Sequence, residues 1–340
     1  MYSWLRSLLF RMDPEEVHGL VTRLTLPLGW RPVRRLLGRL TTVGDPRIVG
    51  GLTFPNAVGL AAGFDKEATW MRVAEALGFG HIEVGAVTPR PQAGHPRPRL
   101  FRLPAHQALR NRMGFNNPGS AVVGARLRAF RSRRILVGVN LGKNSDTPLE
   151  LAVQDYLRVI EDCEQGCDFF TLNVSSPNTE GLRSLSQGEH LAGIVAALRQ
   201  RTSRPLWLKL SPDESEATYE EVAREARRWG LTGVIFSNTT VRRQPPLQQV
   251  DPLGGVSGRP LLAGNLHRIK RLRAQAPELP LIGVGGILAP EDAQAYLRAG
   301  ASLVQVYTGF VYGGPGFARA LARAAASQGA VGDVARKMTV

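Results

Sequence analysis

Residues 173 to 178 read Asn-Val-Ser-Ser-Pro-Asn and close an apolar, β-favouring run that begins at Asp168. A buried strand that breaks abruptly into two hydroxyls, a proline and an amide is how parallel α/β enzymes present reactive side chains. The same residues also make an ordinary turn, and the stretch alone leaves both readings open. Asparagine recurs at positions 111, 140, 173, 178 and 238, all expected at one rim of the fold. Converging amides offer donors and acceptors in pairs, which suits the alternating N–H and C=O edge of a cyclic imide or pyrimidine. Only five residues are lysine, and Lys66, Lys143 and Lys209 lie beside strand ends, where a compact ammonium differs chemically from a guanidinium.

Other chemistries find less support. The histidines at 18, 81, 95, 106, 190 and 267 show no ligand spacing and none follows a strand, so neither a metal centre nor a Ser-His-Asp triad is expected. Cys163 and Cys167 are too few for a disulfide framework and read as buried filler. The net charge of +15 invites a nucleic-acid reading. The arginines are scattered through helices and loops, however, so no nucleic-acid partner is expected. The chain is expected to be a monomer. No cleavable signal peptide is evident, and no run of 18 apolar residues could span a membrane.

The positioning elements follow from periodicity. In residues 1–40, Trp4, Leu5, Leu8 and Leu9 make one apolar helical face. Pro14 to Leu24 makes a second helix, with Asp13 as N-cap and Pro14 in its first position. Seven arginines accompany three acids there, leaving open a surface-lying membrane element or a hairpin packed on the main domain. Ile48 to Phe54, split by Gly50-Gly51, reads as a hairpin able to plug a barrel. Eight strand-like runs follow, at Ala57–Leu60, His81–Val84, Ile135–Val139, Phe169–Val174, Leu206–Leu210, Gly233–Phe236, Leu281–Val284 and Leu303–Val306. Each is followed by a helical pattern, the first near 66–77, and an excursion from Pro98 to Asn111 comes after the second strand. The expectation is an α/β fold: a (β/α)8 TIM barrel over 41–326 with a small N-terminal helical extension, 1–40, and a loose tail, 327–340. Two doubly wound domains are the runner-up, but no linker divides the repeat.

A barrel places the residues after each strand around one mouth. Ala61-Ala62-Gly63 would let a flat ligand approach the backbone. Gly285-Gly286 and Thr308-Gly309 follow strands seven and eight, the usual phosphate seat of this fold. Together these imply a phosphorylated flat cofactor, and flavin mononucleotide (FMN) fits best. Lys209 would then stabilise negative charge on the pyrimidine ring of a reduced flavin. Its own neighbourhood, Trp207 to Pro212, offers no carboxylate partner.

These residues stand in recognisable motifs: GLAAGFDK (59–66), VTPRPQ (87–92), RLFR (99–102), NRMGFNN (111–117), NLGKN (140–144), NVSSPNT (173–179), SNTT (237–240), VSGRP (256–260), IGVGGI (282–287) and SLVQVYTGF (302–310). In order and spacing, over nearly the whole chain, they resemble the class 2, quinone-dependent dihydroorotate dehydrogenases. The resemblance implies oxidation of dihydroorotate to orotate in pyrimidine synthesis, with FMN as hydride acceptor and a membrane quinone reoxidising it. It implies Ser176 as the base and Lys66, Asn111, Arg112, Met113, Gly114, Phe115, Asn173, Asn178, Asn238 and Thr239 as substrate contacts. Flavin contacts would be Ala61, Ala62, Gly63, Phe64, Asp65, Ala86, Asn140, Asn173, Lys209, Ser237, Gly258, Gly286, Tyr307 and Thr308.

The soluble class of the family carries cysteine as base and lacks the N-terminal helices, so Ser176 and residues 1–40 both place the chain in class 2. By that resemblance residues 1–40 form a quinone entrance on an anionic membrane surface, peripheral at the cytoplasmic face, with His18, Arg102 and Tyr307 near the quinone. Thr179 could line a proton relay for Ser176. The family usually has Thr or Ser where this chain has Ala86, which removes any side-chain hydroxyl contact there. The alternatives are a tRNA dihydrouridine synthase-like FMN barrel, which should carry a rim cysteine and a basic appended domain, and a non-catalytic basic nucleic-acid binder.

Overall fold

The computed structural model describes residues 2–130, 134–176 and 188–337, with side chains through 327. Three helices open the chain: α1 (Tyr2–Leu9), α2 (Pro14–Thr25) and α3 (Arg31–Thr41). The start of α2 is set locally, since Oδ1 of Asp13 accepts from the N–H groups of Glu15 and Glu16 at 2.9 and 3.0 Å. The sequence reading did not anticipate α3. It carries no side-chain N-cap, and tertiary contacts hold it: Arg34 pairs with Glu75 at 3.4 Å, and Thr41 Oγ1 donates to the carbonyl of Ala76.

Strands β1 (Arg47–Val49) and β2 (Leu52–Phe54) form the expected antiparallel hairpin. Gly50, at φ 58, lets its turn press on Thr232 and Trp207, where a Cβ would collide with the threonine methyl. Phe54 is fully buried in a cluster with Phe169, Trp207 and Leu303, so the hairpin closes one end of the barrel.

The chain continues as β3 (Val58–Leu60), α4 (Met71–Ala76), β4 (His81–Val87), β5 (Leu100–Leu103), β6 (Ala108–Asn111), α5 (Ser120–Ala129), β7 (Leu136–Leu141), α6 (Ala152–Cys163), β8 (Phe169–Asn173), α7 (Gly188–Arg201) and β9 (Leu206–Leu210). After these come α8 (Glu216–Trp229), β10 (Gly233–Phe236), β11 (Gly255–Gly258), α9 (Leu262–Gln275), β12 (Leu281–Val284), α10 (Pro290–Arg298), β13 (Leu303–Val306), α11 (Thr308–Gly313) and α12 (Phe317–Lys337). Strands β3, β4, β7, β8, β9, β10, β12 and β13 pair in that order and close on themselves, all parallel. The TIM barrel is therefore present, and β9, β10, β12 and β13 keep the boundaries read from the sequence. Parallel strands buried on both faces are continuous apolar runs, which explains that legibility.

Two local expectations need correction. The helix expected over 66–77 is confined to α4, because the Asp65 carboxylate takes the N–H groups of Glu67, Thr69 and Trp70 into a turn. The stretch from Pro98 to Asn111 is not a bare excursion: β5 and β6 pair antiparallel, and β11 joins them from far along the chain. Such non-local pairing leaves no local periodicity. Helix α12 runs on through 327–337.

Candidate active site

One cavity lies at the C-terminal ends of the barrel strands, enclosing about 1100 Å³ when its open mouth is included. Every barrel strand ends at it or sends the following loop into it. Ala61, Ala62, Gly63 and Lys66 follow β3; Ala86 belongs to β4, Asn140 to β7, and Asn173 and Ser176 to the end of β8. Lys209 comes from β9, Ser237, Asn238 and Thr239 follow β10, Gly285 and Gly286 follow β12, and Tyr307, Thr308 and Gly309 follow β13. The β5–β6–β11 sheet adds Leu100, Leu109, Asn111, Ser257 and Gly258 as one wall, with Met113, Gly114 and Phe115 beyond it.

The amides form a directed chain. Asn140 Nδ2 donates to Glu83 Oε1 at 2.5 Å, and Asn173 Nδ2 donates to Asn140 Oδ1 at 2.8 Å. Asn173 Oδ1 accepts from the N–H and hydroxyl of Ser175, while Asn238 Nδ2 donates to Ser175 Oγ at 3.0 Å. The backbone N–H of Thr239 donates to Asn238 Oδ1 at 2.8 Å. A carboxylate only accepts and a backbone N–H only donates, so both ends of the chain dictate which way each amide faces. Ser176 is buried beside this chain.

Burial also sets the charged groups. Desolvation lowers Lys66 to about 8, against the raising effect of Glu15 nearby. Burial pushes the Tyr307 hydroxyl up to about 12 and brings His18 down to about 4, the latter helped by the Lys66 charge. The His18 ring meets Phe64 edge-on at 4.7 Å, and Phe64 meets Tyr307 at 5.6 Å, so α2 reaches the cavity wall through one aromatic ring. Arg102 donates to the carbonyl of Met12 at 2.6 Å and stacks 4.7 Å over Phe10. Glu15 of α2 receives buried Arg99 at 2.7 Å.

The glycine end fits a phosphate. Gly286 has φ 76, and a Cβ there would lie 2.6 Å from Leu262 Cβ, so the backbone must stay bare. Tyr296 holds the loop by donating to the carbonyl of Gly285 at 2.7 Å. The hydroxyls of Ser257 and Thr308 meet at 2.8 Å beside it. At the opposite end Lys209 Nζ has no hydrogen-bond acceptor among the described residues; its nearest carboxylate, Glu83 Oε1, is 3.8 Å away. Bare backbone and hydroxyls at one end, with ammonium and amides at the other, suit a flat phosphorylated ring system.

Not every expected residue reaches the cavity. Phe64 packs against Trp70 and Phe310 as well as Tyr307. The Asp65 side chain is spent on its turn, and Arg112 points to the carbonyl of Pro98. None of the three lines the cavity. Asn178 and Thr179 lie outside the described residues. Cys163 and Cys167 are buried away from the cavity, and burial pushes the Cys163 thiol up to about 12. Sequence reasoning missed Gln305, Ser257 and, most consequentially, Glu83. Glu83 sits inside an apolar run, and only barrel closure brings it to Lys209.

The fold and cavity define an α/β barrel of the enzyme type, with a ligand cavity at the C-terminal ends of its strands. The family profile for dihydroorotate dehydrogenase matches residues 47–326. Among similar proteins, a dihydroorotate dehydrogenase (quinone) of Thermus thermophilus is 48% identical over 93% of this chain and 94% of its own. One from Roseiflexus castenholzii is 45% identical over 95% and 91%. The crystal structure of ligand-free type DHODH from Eimeria tenella superposes with a TM-score of 0.81 at 35% identity, covering 92% of this chain and 93% of that one. The chain belongs to the dihydroorotate dehydrogenase family.

Proposed function

We propose that the protein oxidises (S)-dihydroorotate to orotate, the pyrimidine-forming step of de novo UMP synthesis, with FMN as hydride acceptor and a membrane quinone as final acceptor. The observation that carries this reading is the convergence of Ser176, Lys66 and the directed amides on one cavity with a bare-backbone phosphate end. FMN, when bound, supplies the two-electron acceptor for the C6 hydride and passes the electrons to quinone.

The chain's own residues supply the rest. Gly258, Gly286 and Thr308 receive the phosphate; Ala61, Ala62, Gly63 and Ala86 leave room for the ring; Asn140, Asn173, Lys209 and Ser237 meet its pyrimidine edge. Lys66 holds the substrate carboxylate, and Asn111, Asn173, Asn238 and Thr239 read the imide edge, with Asn178 in the same set by sequence. Ser176 takes the C5 proton. Its hydroxyl is a weak base at its ordinary pKa, and a buried position beside fixed donors stabilises the developing charge.

Residues 1–40 are the quinone entrance, with His18, Arg102 and Tyr307 along the route. Trp4, Leu24, Trp30 and Leu36 are each more than 60% exposed and alternate with arginines, the composition of a face that lies in an anionic membrane surface. No helix among the described residues is long and apolar enough to cross a membrane. The attachment proposed is peripheral, at the cytoplasmic face, through the exposed apolar and basic residues of 1–40. The deciding experiment is an absorbance spectrum of the purified protein with dihydroorotate added anaerobically. A yellow spectrum that bleaches is expected; a colourless protein, or flavin that stays oxidised, overturns the reading.

A further inference from the structure

Glu83 is the carboxylate of β4, fully buried in the barrel interior. An isolated carboxylate there is costly, and it survives only with donors and a counter-charge. It has one of each. Oε1 accepts from Asn140 Nδ2 at 2.5 Å and lies 3.8 Å from Lys209 Nζ, whose side chain is itself only 6% exposed. Oε2 is buried with no hydrogen-bond partner among the described residues. β4 and β9 are not neighbours in the barrel, so the pair spans its interior.

The geometry leaves Lys209 uncommitted. At 3.8 Å the ammonium is charge-paired with Glu83 but not hydrogen-bonded to it, and its N–H groups remain available to the cavity that it lines. Both donors at the expected pyrimidine edge, Lys209 and Asn140, thus face one carboxylate oxygen, Glu83 Oε1. No other carboxylate among the described residues pairs with Lys209.

We propose that Glu83 is a positioning residue: it holds Lys209 and Asn140 against the cofactor's pyrimidine edge, and its charge sets how readily the bound flavin is reduced. This rests on the reading of Lys209 and Asn140 as flavin contacts. With the carboxylate present, the ammonium's field on the ring is partly cancelled. Without it, negative charge on the ring meets an uncompensated cation in a low-dielectric site.

Glu83→Gln separates charge from shape, because the amide oxygen can still accept from Asn140. In the flavin-loaded protein, the expected result is a shift of the two-electron reduction equilibrium at least tenfold toward reduced flavin, about 30 mV more positive. In the flavin-free protein, Glu83→Gln should lower the thermal midpoint, and Glu83→Gln/Lys209→Met, which removes both charges, should recover it. A fully loaded Glu83→Gln protein whose potential is unmoved within a twofold change in that equilibrium overturns the proposal. If the single variant does not fold, the double variant decides: folded protein supports the pair, and equal failure overturns it. A colourless wild type removes the flavin reading and this proposal with it, whereas a yellow wild type with an unshifted variant removes only the role of Glu83.

Discussion

Asn173 and Asn140, on neighbouring strands β8 and β7, share a 2.8 Å hydrogen bond in which Asn173 donates. Each amide fixes the face the other turns to the cavity, so the two act as one recognition unit. Asn140→Ala and Asn173→Ala should therefore be non-additive. A double-mutant cycle on orotate affinity, followed through the flavin spectrum, should give a coupling of about 1–2 kcal/mol. Additive losses would show that the bond does no positioning.

Ser176→Ala should retain flavin and lose its reduction by dihydroorotate by a factor on the order of 10²–10⁴. Anaerobic stopped-flow bleaching measures this directly. Near-normal bleaching would remove Ser176 as the base.

Burial lowers Lys66 from the ordinary lysine value to about 8. Its positive charge is present below that pH and is lost above it. Orotate binding should thus weaken between pH 7 and 9, and Lys66→Met should bind weakly with that pH dependence gone. A wild-type profile flat across this window would take Lys66 out of carboxylate recognition.

Burial raises the Glu15 carboxyl, but its bonds to Arg99 and the charges of Arg99, Arg97 and Lys66 outweigh that, holding it below its ordinary value. The sign is that of a depressed acid: the stabilisation is present above the unfolded value, ordinarily near 4.5, and lost as pH falls through the lower folded one. Glu15→Gln leaves Arg99, 7% exposed, without its carboxylate and should cost ~3 kcal/mol in urea unfolding. It should also flatten the acid limb of the stability curve. An unchanged acid limb would mean that the pair does not tie α2 to the β5 loop.

Removing residues 1–40 should spare flavin reduction by dihydroorotate and abolish both quinone turnover and binding to anionic vesicles. Quinone turnover at the wild-type rate would place the entrance elsewhere.

The sequence by itself determined the barrel and most of its mouth. Parallel strands buried on both faces are unbroken apolar runs, so β9 (Leu206–Leu210), β10, β12 and β13 could be read to the residue, and the first residues past each strand must lie at the rim. Asn140, Asn173, Asn238, Ser176, Lys66 and the glycine pairs were legible for that reason. Tertiary structure alone decided what depends on distant partners. Helix α3 exists through Glu75 and Ala76, and the β5–β6 wall through β11. Asp65 and Arg112 turned to backbone groups, and Lys209 found a carboxylate across the barrel. Periodicity reports which face of an element is apolar; only closure of the barrel says which buried charges meet.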